Sequence, residues 1–417
     1  MDIKKDFKAD CYVQNKSLFN RYRNYEIEDE EVVDFNHASL ARPYKEVFDA
    51  LQKSLPSQAR LYAGSIVGIN DPTKVLFGRN TTEALSLTYW LAGVKEGNVV
   101  LTDAENESVL RIYREHRDHG NTNKSDGWST FADDVISEDY EGISNSHVTG
   151  TSVRTSKFLG EYNPELILDQ VDEKTKLVLV SHVVRNDGRI IDIEELARKV
   201  KEKNPDTYFA VDGAQALGNL SRIDFNELEE AGVDFYAATP HKTLGSYPLG
   251  ILYVGERVKK RINELNGKQP TEQIIMDGMI PYDYNIPSNV DSVLNPLRYL
   301  SLITTIDALR EKGFLKDSDF SEKSKQIQRI KDSFYERLKT QNAEILSEGE
   351  EYSPAIASFR FNGRNNAKVV RDLQEQGVFC SYISESDNIR VSFEVTNNEG
   401  DIDRFFEELK NNQHQFF

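Results

Sequence analysis

Two residues, Asp212 and Lys242, carry the most chemistry in this chain. Asp212 closes the run YFAV within VDGAQ, and Lys242 closes Thr239-Pro240-His241-Lys242 after DFYAA. Both stand at the carboxyl ends of apolar, β-rich runs, where an open α/β sheet presents its ligands. A lysine there can form a Schiff base with an aldehyde cofactor, and pyridoxal phosphate suits such an amine. A buried carboxylate keeps a pyridine nitrogen protonated, because an opposite charge nearby favours the charged form. The protonated ring then acts as an electron sink. Singly, a surface lysine and a capping aspartate would be the plainer account of each residue. Together, with His241 and the glycine-bearing turn TLGSYPLG beside them, they favour the cofactor.

Two further groups extend the constellation. After KVLF comes GRNTTEALSLTYW, in which a helix is expected to start near Thr81 and Thr82. The exposed N–H groups and dipole of that end favour a phosphate dianion, and the hydroxyls add donors. Thr81 would serve as a plain N-cap in any case. In IRVSFEV, Arg390 offers the planar fork that meets a carboxylate with two hydrogen bonds. An edge-strand arginine in a surface ion pair is the plainer alternative.

These residues need a scaffold. The runs KVLF, NVVLT, KLVLV, YFAV, DFYAA and GILYV alternate with amphipathic segments such as DIEELARKVKEKN. Several are apolar at successive positions, as strands buried on both faces are. The rhythm predicts an α/β unit with a mainly parallel sheet. Three parts are expected: an N-terminal arm (1–33), a large domain (34–295) with a polar insertion at 121–160, and a smaller α+β C-terminal domain (296–417). The insertion is long for a connection, which suits a surface excursion, a lid or a dimer contact.

The chain has 417 residues and a formal net charge of −18. Such a charge repels nucleic acid and anionic membrane surfaces. There is no apolar leader and no run long enough for a membrane span. Cys11 and Cys380 are too few for a disulfide framework or a cysteine-rich zinc site, so no metal is expected and a reduced cytoplasm fits. No Gly-x-Gly-x-x-Gly follows any strand, which sets aside a nicotinamide enzyme.

The stretches SHV, VDGAQ, DFYAATPHKTLG and GILYV together resemble the class V aminotransferases and cysteine desulfurases, pyridoxal-phosphate enzymes of fold type I. The likeness extends from DFNHASLARP to NNEGDIDRF. It implies a seven-stranded large domain and a homodimer with its sites near the interface. It also assigns roles. Lys242 is the Schiff-base lysine and then the base at the substrate α-carbon. Asp212 pairs with the pyridine nitrogen, and Gln215 contacts the phenolic oxygen. Thr81, Thr82, Thr239 and His241 hold the phosphate, and Arg390 grips the α-carboxylate.

Three departures stand out. Asn106 occupies the place of the aromatic residue, often histidine, that stacks on the ring, so a proton-shuttling role passes elsewhere; His37 in FNHAS is one candidate. In SHVVRNDGR, Arg185 replaces the asparagine near the phenolic oxygen. A one-residue shift would give that place to Asn186, and Arg185 would then face the cofactor, a second substrate carboxylate or solvent. The loop ISESDN (383–388) lacks the desulfurase cysteine, while Cys380 lies in VFCSYI, which reads as a strand. The expected activity is transamination or carbon–sulfur elimination on an amino acid. Cysteine desulfuration and epimerisation remain alternatives, as does a cofactor-binding protein without catalysis.

Overall fold

A computed structural model describes Leu55 and residues 57–78, 80–94, 97–102, 104–106, 109–110, 151–153, 163–266 and 288–411. The N-terminal arm, His37, Cys11 and most of the 121–160 stretch lie outside the described residues.

Seven strands form the main sheet: β1 (Val75–Gly78), β2 (Asn98–Thr102), β3 (Thr151–Val153), β4 (Thr175–Ser181), β5 (Tyr208–Asp212), β6 (Phe235–Ala238) and β7 (Gly250–Val254). Their order is β1-β7-β6-β5-β4-β2-β3. Only β7 runs against the rest, pairing antiparallel with both β1 and β6. The central strands are buried along almost their whole length, as continuous apolar runs require. β3 falls inside the stretch read as an insertion. Its three residues, Thr-Ser-Val, pair parallel with β2 at the sheet edge and are too short and polar to stand out by pattern.

Helices cover both faces because each offers an apolar stripe. In Ile193–Lys203 the stripe is Ile193, Leu196, Ala197 and Val200. Asp192 caps that helix by accepting from the Glu195 amide, and Lys201 and Lys203 complement the dipole at its end.

A second sheet, antiparallel throughout, has the order β10-β11-β9-β8, with β8 (Ala343–Ile345), β9 (Ile356–Phe361), β10 (Ser381–Ile383) and β11 (Asn388–Ser392). Its core gathers Phe334, Phe359, Phe361, Phe405 and Phe406. The expected boundary at 296 falls inside the helix Ser288–Glu311. Tyr299, Leu302, Ile303, Ile306 and Leu309 of that helix pack in the core of the large sheet. The separate C-terminal core begins with the helix Ser321–Leu338. Among the described residues no helix is long and apolar enough to cross a membrane, and no cluster of His, Cys, Asp and Glu could hold a metal ion.

The segment 185–190, after β4, is stitched to the C-terminal unit. Gly188 O accepts from Ser353 N at 2.7 Å, and Ile190 N donates to Glu351 O at 2.8 Å. Arg189 Nη2 donates to Tyr352 Oη at 2.8 Å, and Arg390 Nη1 to Arg185 O at 2.8 Å.

Candidate active site

The parallel strands deliver their carboxyl ends to one edge of the sheet. Asp212, the last residue of β5, sits between Ser181 of β4 and Ala237 of β6 in register. It is 7% exposed, and its carboxylate accepts one hydrogen bond, from Ala214 N at 2.9 Å. Burial pushes this carboxyl above its ordinary value, while the Ala214 amide and the Lys242 charge pull it down. Such a group is completed by a cation. Gly213 follows because a Cβ there would lie 2.2 Å from a Tyr236 ring carbon. The Tyr236 hydroxyl lies 2.9 Å from His182 Nδ1, and burial pushes the His182 ring down to about 4. His182 is therefore neutral at pH 7.

Lys242 lies on a one-turn helix, Pro240–Thr243, entered through proline, and is solvent-exposed. Thr239 Oγ1 donates to Leu249 O at 2.8 Å and is 2.6 Å from His241 Nδ1. With its one proton spent on Leu249, that hydroxyl accepts from His241, which places the Nδ1 proton and turns Nε2 outward. Burial, then the Lys242 charge, pushes the His241 ring below its ordinary value.

At the N-terminus of the helix Thr81–Ala92, the sequence reading placed the cap one residue late. Asn80 Oδ1 accepts from Glu83 N at 2.9 Å, so Asn80 is the cap. Thr81 is then the first helical residue, 8% exposed, and its hydroxyl has no hydrogen-bond partner among the described residues. Thr82 beside it is half-buried. β7 begins against this cap, since a Cβ on Gly250 would lie 2.1 Å from Asn80 O.

The sequence reading gave Glu105 no role, but the structure does. It is 4% exposed and accepts from Thr102 Oγ1 at 2.7 Å, Ser181 Oγ at 2.5 Å and Ser181 N at 3.2 Å. It ties the ends of β2 and β4 together and sets the neighbouring half-buried Asn106 at the same edge. Burial outweighs those three bonds and, with Asp212 nearby, pushes its carboxyl from 4.5 to about 7. The folded chain thus holds that proton more tightly than the unfolded one. The resulting stability is complete below about pH 4.5 and is lost as pH rises through about 7. His182, held down to about 4 from 6.5, has the opposite sign: its contribution is complete above 6.5 and is lost as pH falls through about 4. Glu105→Gln removes the first term and keeps the second. Its urea midpoint, relative to wild type, should rise between about pH 5 and pH 8. A constant offset across that range would show that Glu105 takes up no proton.

The remaining candidates gather at the seam with the C-terminal unit. Arg390, on β11, is half-buried; Nη2 donates to Ser381 Oγ at 3.3 Å, and Nε is buried without a partner. Burial, then the Arg185 charge, pushes its pKa down. Arg185 reaches Glu385 at 3.4 Å. Asn186 is 1% exposed, and neither side-chain amide atom has a hydrogen-bond partner among the described residues. Gln215 is half-buried one turn beyond Asp212. Cys380 precedes β10 instead of lying within a strand: Val378–Cys380 have no regular secondary structure, and Phe379 is 83% exposed. Burial pushes the Cys380 thiol up to about 12, so it stays protonated at neutral pH.

These groups fit pyridoxal phosphate. Among the described residues Asp212 has no ion-pair partner, Lys242 is an exposed amine beyond the neighbouring strand end, and Thr81 and Asn186 hold unspent buried polar atoms. Unsatisfied buried polar groups in a folded protein call for a partner.

The model of the aminotransferase class-V family matches residues 145–405. An uncharacterized aminotransferase of Schizosaccharomyces pombe is 26% identical, over 85% of this chain and 81% of its own length. A probable cysteine desulfurase of Chlamydia trachomatis is 27% identical over 64% of this chain, and the chain spans only 60% of that relative. Among solved structures, a C-DES variant with glycine covalently linked to its PLP cofactor superposes with a TM-score of 0.68. It is 16% identical, covering 95% of this chain and 92% of that one.

Proposed function

The chain belongs to the aminotransferase class-V family, and on that premise we propose that it is a pyridoxal-phosphate enzyme that acts at the α-carbon of an amino acid, by transamination or carbon–sulfur elimination. The observation that carries this reading is the pairing of buried Asp212 with the exposed Lys242 amine at neighbouring strand ends. When bound, pyridoxal phosphate supplies an electron sink for the α-carbon's electron pair.

The chain's own residues supply the rest. Asp212 keeps the pyridine nitrogen charged, and burial makes that charge pair strong. Thr81, Thr82 and the amides of their helix end receive the phosphate, and His241, its ring fixed by Thr239, donates to it from Nε2 only in its protonated form. Thr239 is thus assigned to orienting His241. Asn186, with both amide atoms free, is assigned to the phenolic oxygen beside Gln215 in preference to Arg185. Asn106 covers the ring face. Arg390 grips the α-carboxylate, which leaves Lys242 to take and return the α-proton.

Desulfuration is the weaker reading. The segment 383–388 holds no cysteine, and Cys380 is held as a thiol. The reading carries with it a cytoplasmic homodimer. It also carries three units: an arm, a large cofactor domain and a C-terminal domain that begins near Ser321.

Borohydride reduction of the purified holoprotein, followed by peptide mapping, tests the proposal. The cofactor label should sit on Lys242. A label on another lysine, or no label, overturns it.

A further inference from the structure

The Arg390 guanidinium reaches the backbone of Arg185, Nη1 donating to its carbonyl oxygen at 2.8 Å. Two guanidiniums therefore share one seam in a chain whose net charge is −18. The Nε of each is buried and has no hydrogen-bond partner among the described residues. The ion pair that Arg185 does make, with Glu385, is a single 3.4 Å contact between side chains 29% and 41% exposed. A pair that long and that wet contributes little. An arginine fork that meets a carboxylate squarely makes two charge-assisted bonds. Glu385 thus holds, weakly, a place that a ligand's carboxylate would fill better.

We propose that Arg185 selects amino acids with a second carboxylate on the side chain, which displaces Glu385 while Arg390 takes the α-carboxylate. This rests on the amino-acid reading of the site. A substrate of the aspartate or glutamate type brings one anion to each guanidinium and relieves the repulsion between them. A neutral side chain leaves Arg185 with Glu385. The departure at position 185 then becomes a specificity device, with Asn186 keeping the contact to the cofactor.

The test is binding, read by calorimetry and by the absorbance of the bound cofactor, with L-aspartate, L-glutamate and L-alanine titrated into holoenzyme. In the wild type, an acidic amino acid should bind at least about tenfold more tightly than alanine, the worth of one charge-assisted hydrogen bond. Arg185→Gln should lower the acidic-to-alanine affinity ratio by about tenfold. Glu385→Gln should raise that ratio by removing the competing carboxylate, and this arm leaves Arg185 untouched. An unchanged ratio in both variants, or a wild type that binds alanine as tightly as both acids, overturns the inference and spares the amino-acid reading. A wild type that binds no amino acid in either readout overturns both.

Discussion

Lys242→Ala should lower turnover by at least about 10³-fold, within the range of about 10²–10⁴ that a positioned base contributes and with the loss of the amine nucleophile added. The lysine sits on a single helical turn pinned at both ends. Pro240 fixes the entry, and Leu244 N closes the turn on Pro240 O at 2.8 Å. Removing an exposed side chain from that turn leaves the bond between Thr239 and His241 in place, so thermal unfolding should stay close to wild type. The two most buried lysines among the described residues are already engaged, Lys323 with Glu394 and Asn219 Oδ1 and Lys331 with Ser353 O. A small primary amine added to the variant should recover part of the rate. Turnover within tenfold of wild type would remove Lys242 from the chemistry altogether.

Asp212→Asn should cost about 10²–10³-fold in turnover while the cofactor still binds. Breaking a buried charge pair by removing one partner costs about 3–5 kcal/mol, and each ~1.4 kcal/mol is tenfold. The amide can still accept from Ala214 N, so the local turn survives. What it cannot do is hold a proton on the ring nitrogen by charge. The bound cofactor's absorbance should then titrate at lower pH than in the wild type. An unshifted titration with near-normal turnover would give Asp212 a structural role alone.

The large sheet was legible because its strands are apolar at successive positions: NVVLT and GILYV coincide with β2 and β7 to the residue. The places of Asp212 and Lys242 follow from the same pattern, since Asp212 ends β5 and Lys242 stands on the one-turn helix just after β6. The cap at Asn80 was misplaced by one residue because Asn-Thr-Thr offers three capping side chains in a row, and only the backbone decides which one caps. Glu105 was missed because its partners, Thr102 and Ser181, come from separate strands, and no local pattern joins them. The helix Ser288–Glu311 was given to the wrong core because an apolar stripe says that a helix is buried, not against what. The choice between Asn186 and Arg185 turns on a single-residue register in a turn, on which spacing is silent; the burial of Asn186 supports the role proposed for it.

The stitching of segment 185–190 to the C-terminal unit bears on how this enzyme would move. Backbone bonds at Gly188 and Ile190, and the bonds of Arg189 and Arg390, tie that segment to 351–353 and β11. Asn388 Nδ2 also donates to Asn186 O at 3.3 Å. A C-terminal unit that swung as a free lid would have to tear these bonds or drag the segment along. Dragging keeps these bonds intact, and it would carry Asn186 along. Substrate capture at Arg390 would then be felt at Asn186 as strain, with no separate messenger between the carboxylate end of the substrate and the ring. Closure and tuning of the cofactor would be one displacement seen from two ends.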